Sequence, residues 1–162
     1  MVNKTIFTAD EWKLLQQSVM MAGIAVTAAD PSGLWGTLKE TFSSAQSMIA
    51  GKGGSSELVN ALVADFETSE GRSAAREGVG AQFKGLKAPE ITNKAVEALR
   101  QVAALLDAKA PEEASAMKTW LLNISKSVAE ASNEGGFLGF GGIKVSDAEK
   151  ATLAEIKTAL NI

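Results

Sequence analysis

Apolar residues recur along this chain every three or four positions, the spacing of one face of an α-helix. Thr8-Ala9-Asp10-Glu11 has the form of a capping box, in which a Thr hydroxyl and a Glu carboxylate three residues later satisfy free N–H groups at a helix start. Trp12, Leu15, Val19, Ala22 and Val26 follow in phase. Met20, Met21 and Ile24 widen that stripe until little polar surface remains, so this first helix is expected at the centre of the fold, with neighbours on several sides. Asp30-Pro31 ends it and can start the next, Asp30 as cap and Pro31 at the first helical position.

Six further helices are expected. Leu34, Leu38, Phe42, Ala45 and Ile49 keep one face to about residue 50, and Gly51-Lys52-Gly53-Gly54-Ser55-Ser56 reads as a loop. A third helix spans 57–67 with Leu58, Leu62, Val63 and Phe66 inward. Residues 69–84 fit a helix through Ala75, Val79 and Phe83, but Gly71, Gly78 and Gly80 each weaken it by roughly 1 kcal/mol relative to alanine. The fifth follows Pro89, with Ile91, Ala95, Leu99, Val102 and Leu106 inward. Pro111 opens the sixth, striped by Met117, Trp120, Leu121, Ile124 and Val128. Ser146-Asp147-Ala148-Glu149 is a second capping box, and Leu153, Ile156 and Leu160 face the last helix inward. No segment alternates as a strand would. The expectation is an all-α, compact bundle of about seven helices, one domain over residues 1–162.

The two ends of the chain echo each other. Val19-Met20 through Asp30 parallels Leu121-Leu122 through Ser132, and each apolar helix runs into glycine and aromatic residues: Gly33-Leu34-Trp35-Gly36 in one, Gly136-Phe137-Leu138-Gly139 in the other. Helix–glycine–helix punctuation common to helical proteins accounts for the echo as well as an internal pseudo-two-fold duplication does. The arrangement resembles the tellurite-resistance TerB-like family. The residues carrying the likeness are Ile24 to Asp30, then Val145-Ser146-Asp147-Ala148-Glu149-Lys150 with Leu153, Ile156 and Leu160. The resemblance implies an all-helical pair of related halves, a non-enzymatic role in tellurite and other stress responses, and an acidic metal-binding surface. The chain departs from the family pattern at Pro31, where the family has Gly, and at Ser132-Asn133, which replace the second Asp.

Composition narrows the chemistry. There is no Cys, His or Tyr among the 162 residues. Disulfides, thiolate metal sites, cysteine nucleophiles and a Ser-His-Asp hydrolase are therefore excluded. A metal site would need oxygen ligands, which suits Ca²⁺, Mg²⁺ or Mn²⁺. The net charge is −3, with no run of Lys or Arg, which argues against nucleic acid as a partner. Leu14 to Ala29 is the longest uncharged stretch, 16 residues, shorter than the roughly 20 that a spanning helix needs. With an N-terminus too polar for a signal peptide, a cytoplasmic location is expected.

Two groups of residues are candidates for function. Asp30 with Glu40, and Glu134 with Glu149, are the carboxylates that would bind a divalent cation; helix capping explains them without one. The segment Asn133 to Gly142 reads N-E-G-G-F-L-G-F-G-G. Burying Phe137, Leu138 and Phe140 would stabilise by roughly 5–9 kcal/mol, while ordering its five glycines costs about 2.5–5 kcal/mol more than ordering five alanines. The segment should therefore fold onto something: the protein's own core, a protein partner or second copy of the chain, or a ligand. A membrane role lacks a basic flank. The leading expectation is a non-enzymatic TerB-like or protein-interaction module without a cofactor. A carboxylate cation binder and an enzyme or binder of a small apolar ligand are the alternatives.

Overall fold

In a computed structural model, residues 4–29, 54, 56–134 and 145–162 are described, the side chains of 131–134 excepted. After a short 3₁₀ turn at Lys4–Ile6, six α-helices follow among these residues: α1 (Ala9–Ala29), α2 (Glu57–Glu67), α3 (Ser69–Phe83), α4 (Ala88–Lys109), α5 (Pro111–Glu134) and α6 (Asp147–Ala159). No strand occurs among them. The helix expected over 31–50 lies outside the described residues. No described helix is long and apolar enough to cross a membrane.

Helix α1 is the axis of the bundle, as its broad apolar stripe predicts. It packs against α3, α4, α5 and α6, most extensively against α4. Leu15, Val19, Met21, Ala22, Ile24, Ala25 and Val26 are all buried. So are Gln16, Gln17 and Ser18, three polar residues in the same helix. Burying such groups is costly unless each finds a hydrogen-bond partner. Ser18 Oγ donates to the Leu15 carbonyl at 2.6 Å, and the two glutamines reach other helices. Neighbours in turn bond to the α1 backbone: Ser125 Oγ donates to the Ala22 carbonyl at 2.8 Å, and Thr92 Oγ1 to that of Ala25 at 3.4 Å.

The inward stripes of α4 and α5 are those the spacing predicts, and every residue named for them is buried. In α2 the buried set is Leu58, Val59, Leu62 and Phe66, with Val63 only partly covered. Helix α3 forms despite its three glycines, because two of them are where neighbours come closest. A Cβ on Gly71 would sit 2.0 Å from the Asp65 carbonyl oxygen, and one on Gly78 would sit 1.9 Å from Gln17 Nε2. The local helix cost is therefore offset by tight packing of α3 against α2 and α1.

Candidate functional site

Of the four carboxylates suggested as cation ligands, the structure describes the side chain of one. Glu149 is 2% exposed. Its Oε2 accepts the Ser146 N–H at 2.8 Å, while its own N–H donates to Ser146 Oγ at 3.2 Å. This is a complete capping box at the start of α6. Glu134 closes α5, its side chain outside the described set. Asp30, Glu40, Phe137, Leu138 and Phe140 lie outside the described residues. Among the described residues, no three Asp or Glu side chains group closely enough to hold a metal ion.

A denser polar cluster stands at the crossing of α1 and α2. Asp65 Oδ2 accepts three hydrogen bonds: from Trp12 Nε1 at 2.6 Å, Gln16 Nε2 at 3.0 Å and Lys4 Nζ at 2.9 Å. The Lys4 ammonium also lies 5.0 Å from the centroid of the Trp12 ring. Phe7 flanks the same indole, with ring centroids 6.0 Å apart. One charged oxygen thus satisfies the indole and the buried glutamine together, and charge-assisted bonds of this kind are about twice as strong as neutral ones. By its position in the sequence alone, Asp65 reads as solvated charge at a helix junction beside Glu67 and Glu70. The structure corrects that: it is 25% exposed and ties the N-terminal turn and α1 to α2. Arg72, in the same stretch, donates to the Phe66 and Glu67 carbonyls at 3.0 and 2.9 Å, closing the end of α2.

Other charged and polar groups serve the same architectural end. Gln82 Nε2 donates to Gln17 Oε1 at 3.0 Å, linking α3 to α1. Lys118, almost wholly buried on α5, places its ammonium 2.6 and 2.8 Å from the two Asp107 oxygens on α4. Ser56, the cap of α2, donates to Glu113 at the start of α5. At the start of α1 the Glu11 carboxyl is held below its usual range, first by a hydrogen bond from Lys109 and then by the Thr8 N–H. Between α4 and α6 runs an open groove of about 630 Å³, bordered by Asn93, Val96, Glu97, Arg100, Glu155 and Thr158. Glu97 and Arg100 pair with each other along its edge.

Sequence reasoning missed the Asp65 cluster, although a signal was present. A Trp at the head of an apolar stripe, followed four residues later by Gln16, brings two buried N–H donors to one helix face. They require an acceptor from elsewhere in the chain. Fold and polar groups together define a class: an all-α bundle wound around one buried helix, with Glu11, Asp65, Asp107, Glu113 and Glu149 committed to caps and inter-helix bonds. No family model, curated protein or solved structure matches the chain.

Proposed function

We propose that this protein is a non-enzymatic interaction module, built as a pair of related halves and acting in the stress-response setting that its likeness to the TerB-like family implies. The observation that supports this reading most is the use of its charged side chains. Glu11 and Glu149 cap helices, Asp65 and Asp107 hold helices together, and Glu113 receives the cap of α2. The contact surface in this reading is the segment from residue 133 to 142, through Phe137, Leu138 and Phe140, toward a protein partner or a second copy.

The test is to replace Phe137 and Phe140 by Ser and to measure molar mass by light scattering alongside the thermal midpoint. Loss of association at unchanged stability is the expected result. A fall in stability with unchanged association would return the segment to internal packing. Melting with and without millimolar Ca²⁺, Mg²⁺ or Mn²⁺ separates the cation-binding alternative, since a ligand bound to the native state raises the midpoint. The expected outcome is no shift.

A further inference from the structure

The cluster around Asp65 is organised for a positive charge. The indole face and the carboxylate meet at one point, and the Lys4 ammonium occupies it, 2.9 Å from Asp65 Oδ2 and 5.0 Å from the Trp12 centroid. An ammonium over an aromatic face and beside a carboxylate gains from both, the ring quadrupole attracting it when the distance is within about 6 Å.

The two halves of this site do not depend on Lys4 for their placement. Trp12 is 4% exposed and belongs to the buried core. Its Nε1, with Gln16 Nε2, fixes the carboxylate from α1 at 2.6 and 3.0 Å. Lys4, by contrast, sits on a three-residue turn with its side chain 58% exposed. Ion pairs of such exposure hold weakly. A rigid receptor is therefore filled by a loosely held occupant.

We propose that Trp12 and Asp65 form a binding site for a primary alkylammonium group, which Lys4 fills in cis and an external ammonium can displace. The ligand is an amine on a flexible aliphatic stem. Either a lysine side chain of a partner protein or a free small amine provides that chemistry. Occupation by Lys4 lowers the apparent affinity of any competitor by the fraction of time the site stands open.

The test uses the full chain carrying Lys4→Ala, with the Trp12 indole N–H resonance identified by its disappearance in Trp12→Phe. Butylammonium chloride is titrated against 1-butanol and against NaCl of equal ionic strength. The expected result is a saturable movement of the Trp12 signal with butylammonium alone. In the unaltered protein the same titration should give an apparent affinity about tenfold weaker. Adding Asp65→Asn to Lys4→Ala should abolish the response, and the butanol control keeps the experiment decisive if that variant loosens the α1–α2 corner. No saturable movement in Lys4→Ala, or an equal response to butanol, overturns the proposal. Tighter binding of Nα-acetyl-lysine methylamide than of butylammonium supports a partner's lysine as the source, and equal binding supports a free amine. None of these measurements touches the 137–140 segment, so this site and the proposed interaction surface can fail independently.

Discussion

The starts of α1 and α6 carry the same device in two different environments. At α1, Thr8 N–H donates to Glu11 at 2.7 Å and Glu11 N–H to Thr8 Oγ1 at 3.2 Å. At α6, the equivalent distances between Ser146 and Glu149 are 2.8 and 3.2 Å. The local geometry is nearly identical. Yet Glu11 lies at the surface, where Lys109 Nζ on α4 approaches its carboxylate at 2.6 Å, whereas Glu149 is enclosed. A four-residue motif thus specifies how a helix begins, while the packing of distant elements decides how much depends on it. The enclosed box leaves costly unpaired groups if broken, and the surface one lets water replace what is lost.

Breaking the two boxes separately should expose this asymmetry. Glu149→Ala is expected to have the largest effect, since it leaves the Ser146 N–H without its carboxylate in a part-buried setting and opens space in the core. The cost should be about 2–3 kcal/mol, read as a lower urea midpoint at unchanged slope. Ser146→Ala removes only the hydroxyl half and should cost about 1 kcal/mol. Thr8→Ala removes the matching hydroxyl at α1, where the surroundings are exposed, and should cost about 0.5 kcal/mol. Equal losses for Ser146→Ala and Thr8→Ala would show that burial does not separate the two boxes.

The smallest effect sharpens the comparison through pH. The Glu11 carboxyl lies below its usual 4.5 because Lys109 and the Thr8 N–H favour its charged form. A carboxylate depressed in the folded state contributes stability above its unfolded value and loses it as pH falls through the folded one. The difference in thermal midpoint between the unaltered protein and Glu11→Gln should therefore hold steady near neutrality and shrink below 4.5. A difference that stays constant through the acid range would remove Lys109 from the account.

Much of this architecture was legible from residue spacing. The stripes Ile91–Leu106 and Met117–Val128 predicted the buried faces of α4 and α5, and the two Thr/Ser-x-x-Glu sequences predicted the caps of α1 and α6. These are local rules, carried by residues three or four apart. What escaped was long-range. Asp65 meets Lys4, Trp12 and Gln16 across 61, 53 and 49 residues, and no periodicity reports such a meeting. Gly78 reads along the chain as a weak point in α3, yet its missing side chain is what admits Gln17. Glu149 caps α6 as its Ser-x-x-Glu sequence predicts, and the burial that sets its energetic weight comes only from the surrounding helices.

The central place of α1 also has a consequence for the time course of opening. Among the described residues, α3, α4, α5 and α6 pack along it, and two of them bond to its carbonyls. No single neighbour can detach and leave its backbone in water. Helix α3 buries fewer residues, Gly71, Ala75 and Val79, and is expected to loosen before the helices that bury more. Amide hydrogens in the middle of α1 should therefore exchange with deuterium only when the entire molecule unfolds, and those of α3 through smaller, more frequent excursions. Under increasing urea the two sets should converge from very different starting rates, with α3 the first part of the bundle to breathe.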